Sequence, residues 1–72
     1  MNFQVIFTYD EDYEGYVADV PSLPGCMSQG KTMEEAMANI QEAIRGVLFV
    51  LEKNGEPYQP STRPFFVGEI AV

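Results

Sequence analysis

Apolar residues recur at Met33, Ala36, Met37, Ile40, Ala43, Ile44, Val47, Leu48 and Leu51. That three-and-four spacing belongs to a helix with one buried face. It predicts a helix that starts at Thr32 as cap and runs to Lys53. Thr32 followed by Glu35 has the spacing of a capping box, which satisfies two orphan amide donors. Lys53, Asn54 and Gly55 give a basic last turn and a left-handed stop, and Pro57 follows. Glu34 and Glu35 open the helix and Lys53 closes it, as the helix dipole favours.

Before the helix the period changes to two. Phe3, Val5, Phe7 and Tyr9 alternate with Gln4, Ile6 and Thr8, a strand pattern rich in β-formers. A polar turn, Asp10 to Gly15, leads to a second strand, Tyr16 to Val20, and so to an antiparallel hairpin. Pro21 ends that strand. Pro24-Gly25 has the sequence of a type II turn. Cys26 to Gln29 reads as a short third strand, and Gly30 as a break before the helix. After the helix, Pro57, Pro60 and Pro64 mark an irregular crossing, and Phe65 to Val72 alternates as a last strand.

The expected fold is α+β: a two-layer β-β-β-α-β arrangement with one helix packed on one face of a small sheet. A last strand returning beside the first would run parallel to it through a right-handed crossover, giving the order 3-2-1-4. Seventy-two residues make one domain, 1–72. A domain of that size buries only roughly 60% of the surface its unfolded chain exposes. Disulfides, metals and oligomerisation are the usual supports. Cys26 is the only cysteine and there is no histidine, so a disulfide and a zinc site are both excluded.

Self-association remains, and some apolar positions point to it. Phe49 and Val50 fall off the core stripe of the helix. Phe65 and Val67 fall on the sheet face away from it. Gly46 sits mid-helix, at a cost of about 1 kcal/mol relative to Ala. A homo-oligomer with Phe49, Val50, Phe65 and Val67 at its interface is the expectation, against the plainer reading of scattered surface residues.

Charge narrows the partners. Eleven acids and four bases give a net charge of −7. Direct nucleic-acid binding needs the opposite sign, because phosphate neutralisation supplies most of that affinity. Asp10, Glu11, Asp12, Glu14 and Asp19 all precede the first base, Lys31; the rest of the chain is nearly balanced. That acidic end suits a basic partner, and these five residues are the candidate contact. The plainer reading is an acidic surface that only aids solubility. With no membrane-length run, no leader pattern and a lone cysteine, a reduced, cytoplasmic setting is expected.

The catalytic motifs fail one by one. Asp10-x-Asp12-x-Glu14-Gly15 imitates the start of a calcium loop, but its twelfth position is Pro21 rather than a bidentate Glu. A two-metal nuclease needs converging carboxylates. The first strand has none before Asp10, Asp19 and Glu69 stand alone, and Glu42 is on the polar side of the helix. Cys26, Ser28 and Ser61 have no histidine to activate them. Cys26 reads as a small packed residue. No enzyme, no cofactor and no metal is expected.

Certain runs of residues resemble a known family. Gly15-Tyr16-Val17, Pro21-Ser22-Leu23-Pro24-Gly25-Cys26, Ser28-Gln29-Gly30-Lys31-Thr32-Met33-Glu34-Glu35-Ala36 and Asn54-Gly55-Glu56-Pro57 follow, in order and spacing, the N-terminal domain of HicB-type antitoxins. The likeness covers about Phe3 to Pro60, with Val72 as its outer bound. It implies a partial ribonuclease H-like fold without the catalytic carboxylates. It also implies a type II antitoxin that covers a small, basic HicA-type toxin, an mRNA endonuclease that uses a histidine. Full-length members carry a C-terminal DNA-binding domain. Here no basic segment or second helix follows, so no operator binding is expected of this chain. The alternatives are a stand-alone oligomerisation or scaffold domain with no toxin, and an orphan nuclease.

Overall fold

The computed structural model describes residues 2–58 and 68–72. Three strands precede one helix: β1 Ile6–Asp10, β2 Gly15–Asp19, β3 Met27–Gly30 and α1 Met33–Lys53. β2 is central and pairs antiparallel with both neighbours. α1 lies across one face, against β3 and β2. The fold is α+β, as the periodicity predicts.

β1 starts later than the alternation suggests. Its partner β2 ends at Asp19, opposite Ile6, and the chain then turns away at Pro21. Among the described residues Phe3 and Val5 therefore have no strand to pair with, but they still pack against the core together with Phe7. The predicted closing strand, Phe65 to Val72, does not appear over its described part. Gly68–Val72 forms no strand and is exposed; Phe65, Phe66 and Val67 lie outside the described residues. Gly68 and Glu69 are poor strand formers, and Ile70 is 86% exposed, with no buried face to hold it. Among the described residues the sheet has three strands, and 68–72 does not fill the fourth place of the expected order 3-2-1-4.

The core is a cluster of Ala18, Val20, Leu23, Cys26 and Ile40. Three of these five, Val20, Leu23 and Cys26, come from the β2–β3 connection. Leu23 N–H donates to Val20 C=O (3.1 Å) and Cys26 N–H to Leu23 C=O (2.9 Å), giving two linked turns. Val20 N–H closes the loop onto Cys26 C=O at 3.1 Å. Gly25, at φ 81°, supplies the positive angle that the second turn requires. The loop is thereby tied internally and drives Val20, Leu23 and Cys26 under the helix.

Both ends of α1 are capped. Thr32 Oγ1 accepts from Glu35 N–H at 3.1 Å, so the structure forms the Thr32 half of the expected box. At the other end Gly55, at φ 73°, donates to Glu52 C=O (3.1 Å), and Glu56 N–H donates to Leu51 C=O (2.8 Å). That pair of bonds is a Schellman stop. Of the predicted apolar stripe, Ala36 and Ile40 are buried, and Ala43, Ile44, Val47, Leu48 and Leu51 are half-buried. Met33 and Met37 depart from it, at 40% and 54% exposed. Met37 faces a groove of about 690 Å³ between α1 and the Phe3–Phe7 stretch, which the helix leaves open.

Two glycines set how closely helix and sheet approach. A Cβ on Gly30 would lie 2.4 Å from Ala36 N and 2.7 Å from the Glu35 carbonyl carbon. A Cβ on Gly15 would lie 2.7 Å from Gly30 O. These obstacles are backbone and cannot swing aside. Asn39 then ties the helix to the sheet edge, its Nδ2 donating to Gln29 C=O at 2.7 Å.

Gly30→Ala is expected to destabilise by about 1–3 kcal/mol, the usual cost of overpacking. Gly46→Ala, where the new Cβ meets nothing within 4 Å, is expected to stabilise by up to about 1 kcal/mol through helix propensity. Urea midpoints of the two variants should move in opposite directions; movement in the same direction contradicts the proposed helix seat.

Candidate functional site

The β1–β2 turn gathers four of the eleven acidic residues at one end of the sheet. Asp10, the last residue of β1, folds its carboxylate back over the turn. Its Oδ1 accepts from Asp12 N–H at 2.9 Å and from Tyr13 N–H at 3.0 Å. Such Asx bonding pre-forms a turn that would otherwise fluctuate. Asp10 is half-buried, whereas Glu11, Asp12 and Glu14 are exposed. Of the four turn acids, then, Asp10 holds the loop and the other three are exposed.

Glu14 takes an unusual backbone conformation. It lies at φ 57°, the described non-glycine residue with a positive φ. The left-handed region costs an L-residue roughly 1–2 kcal/mol. Glu14 is the last residue of the four-residue turn between the paired Asp10 and Gly15, and Gly15 has no room for a side chain.

Lys31 is tethered to the turn. Lys31 Nζ donates to the Tyr13 carbonyl and lies 3.9 Å from the centroid of the Tyr13 ring. This cation–π contact fastens the turn to the segment that enters α1. On β1 and β2 next to the turn, Tyr9 and Tyr16 meet edge to face at 5.3 Å. Tyr9 is 54% exposed, so an aromatic surface adjoins the carboxylates.

Asp19 stands apart from the other four predicted contact residues. It ends β2 and pairs with Ile6 and Met27, about 14 Å along the strand from Gly15 at strand rise. Its charge bears instead on Cys26. That thiol is held above its ordinary value of 9.0, first by burial and then by the Asp19 carboxylate. Cys26 is 2% exposed and is a core residue. Among the described residues, no three Asp, Glu or Cys side chains converge to hold a metal ion, and no helix is long and apolar enough to cross a membrane.

Of the four residues expected at an oligomer interface, Phe49 and Val50 are 68% and 52% exposed. Phe65 and Val67 lie outside the described residues. Two elements of the site were not foreseen from the sequence. One is the holding role of Asp10, for which Asp at the first position of a turn is the available signal. The other is the Lys31–Tyr13 tether, which depends on a contact between residues far apart in sequence.

Residues 3–65 match the model of a family described as the HicB-like antitoxin of bacterial toxin–antitoxin systems. The chain belongs to the HicB-like antitoxin family. A UPF0150 protein of Thermoplasma acidophilum is 54% identical over 56 residues, covering 78% of this chain and 80% of its own length. Another, from Archaeoglobus fulgidus, is 46% identical over 56 residues and 78% of each chain. A Helicobacter pylori UPF0150 protein is 56% identical over 43 residues, or 60% of each chain. The acidic turn, the tied loop and the capped helix of this HicB-like chain all fall within the matched residues.

Two outcomes follow for the site. Glu14→Gly is expected to stabilise by about 0.5 kcal/mol, since roughly 1 kcal/mol of strain is removed and part returns as unfolded-state entropy; a lower thermal midpoint contradicts it. The Cys26 thiol gives an alkaline slope. Its folded value is raised, so the unfolded chain releases this proton first, and stability should fall as pH rises past 9.0. Urea titrations below and above that pH should show the fall in wild type relative to Cys26→Ala; parallel curves contradict it.

Proposed function

We propose that this chain is a non-enzymatic antitoxin of a type II system that neutralises a small basic mRNA endonuclease of the HicA type by covering its RNA-binding and catalytic surface. The observation that carries this reading is the rigid acidic turn. Glu11, Asp12 and Glu14 are exposed on a loop that the Asp10 carboxylate and the Lys31 tether hold in place. A preformed cluster of like charge steers an opposite surface into place quickly and loses little freedom on docking. The exposed Tyr9 edge beside it offers apolar area where carboxylates alone would be costly to desolvate.

The same reading extends to architecture. Three antiparallel strands followed by one helix make up the opening part of a ribonuclease H-like unit, kept as a scaffold for docking. The chain acts as one domain in the cytoplasm and binds no nucleic acid itself, consistent with its net charge of −7. Asp19, distant from the turn, lies outside the contact; the working set is Glu11, Asp12 and Glu14. A scaffold role without a toxin has one observation in its favour, the exposed Phe49 and Val50 on α1.

Co-expression with the short basic protein of a neighbouring reading frame tests the proposal. The two should co-purify as a complex. In that complex Glu11→Gln, Asp12→Asn and Glu14→Gln together should weaken binding roughly tenfold or more, chiefly through slower association, and flatten the dependence on salt. Asp10 is left intact so that the turn survives. Unchanged affinity in the triple variant moves the contact elsewhere, and failure to co-purify removes the antitoxin reading.

A further inference from the structure

α1 is 21 residues long, about 32 Å at helical rise, and its buried residues, Ala36 and Ile40, are both in the first half. Beyond Gln41 the helix keeps an uncovered face made of Glu42, Gly46, Phe49, Val50 and Lys53, all exposed. At helical periodicity these five fall within an arc of about 100°. Phe49 and Val50 are 68% and 52% exposed. Between them lies Gly46, where an added Cβ would meet nothing within 4 Å. The glycine weakens the helix by about 1 kcal/mol, and among the described residues no neighbour uses the space it leaves. The face is thus an aromatic knob beside an empty hole.

Charge decides what fits there. The chain carries −7 overall, but the second half of α1 carries Glu42, Arg45, Glu52 and Lys53, two of each sign. The acidic turn lies at the far end of the helix, where Lys31 meets Tyr13 just before the helix cap. A basic partner has nothing to gain from a neutral face. A second copy of the chain can meet it without repulsion.

We propose that this face pairs with the same face of a second copy, as two antiparallel helices related by a two-fold axis, with Phe49 of each seated over Gly46 of the other. A two-fold interface must be self-complementary: a contact from one residue to another is repeated in reverse. The pairs Gly46–Phe49 and Glu42–Lys53 share one midpoint, between Val47 and Leu48. A single axis there fills both glycine holes with rings and sets both carboxylates against ammonium groups. Sliding one helix by a turn sets Phe49 against Glu42, or Gly46 against Lys53, and loses both matches. An interface of one helix pair is smaller than those of stable dimers, so the association is reversible and concentration-dependent.

Sedimentation equilibrium of the purified full chain from about 10 to about 500 µM tests this, the range in which micromolar dissociation shows. The expected result is a monomer–dimer equilibrium. Phe49→Ala should weaken it roughly thirty-fold, as truncation of a central aromatic anchor does. Gly46→Ala should also weaken it while raising the thermal midpoint of the monomer, which separates loss of docking from loss of folding. Glu42→Lys alone should weaken the dimer, and Glu42→Lys with Lys53→Glu should restore it. A chain monomeric throughout overturns the proposal, as does a dimer indifferent to Phe49→Ala. A double charge swap without recovery overturns the antiparallel register, and a Phe49-dependent complex with a basic partner alone gives the face to that partner.

Discussion

The structure depends on how closely the first turn of α1 can sit on the sheet. Gly30 leaves no space between β3 and the Glu35–Ala36 backbone, and Gly15 leaves none between β2 and Gly30. Small residues continue the seat, since Ala18 and Ala36 are both fully buried. With the helix this low, Ile40 reaches Val20, Leu23 and Cys26 and closes a core of few side chains. A domain of this size has little apolar surface to spend, so close approach does what bulk does in larger proteins. The Asn39 bond to Gln29 C=O fixes the direction of the helix once it is seated.

That seat also places the site. Gly15 and Gly30 bring the β1–β2 turn beside the entry to α1, so that Lys31 reaches Tyr13. The turn is then held twice: from within by the Asp10 carboxylate and from outside by the Lys31 ammonium. Glu11, Asp12 and Glu14 are exposed on this doubly held turn. Repulsion among them is tolerable because they are solvated and screened.

Much of this was legible in the residues. Thr32 and the Asn54-Gly55 stop bound α1, because capping chemistry is local. The hairpin and the Pro24-Gly25 turn were readable for the same reason. What depended on distant contacts was not. Tyr9 and Phe7 share an alternation, yet Phe7 packs on the core and Tyr9 is exposed, because α1 does not extend over that end of β1. Met37 carries the right spacing for the core and faces an open groove instead. Val20 and Cys26 read as strand ends around a Pro-Gly turn, whereas both lie in the connection between β2 and β3 and form the core together with Leu23. At the site, residue type and order gave the acidic cluster, but only the fold separates Asp10, which builds the turn, from the exposed acids, and removes Asp19 to the other end of β2.

The proposed function is to occupy another protein's surface rather than to perform a reaction. RNA cleavage by the basic protein of the neighbouring reading frame, followed while this chain is titrated in, measures that directly. Cleavage should fall in proportion to added chain and cease at a fixed stoichiometry, while the chain alone leaves RNA intact. Cleavage that persists at excess chain, or RNA degraded by the chain alone, would contradict the account.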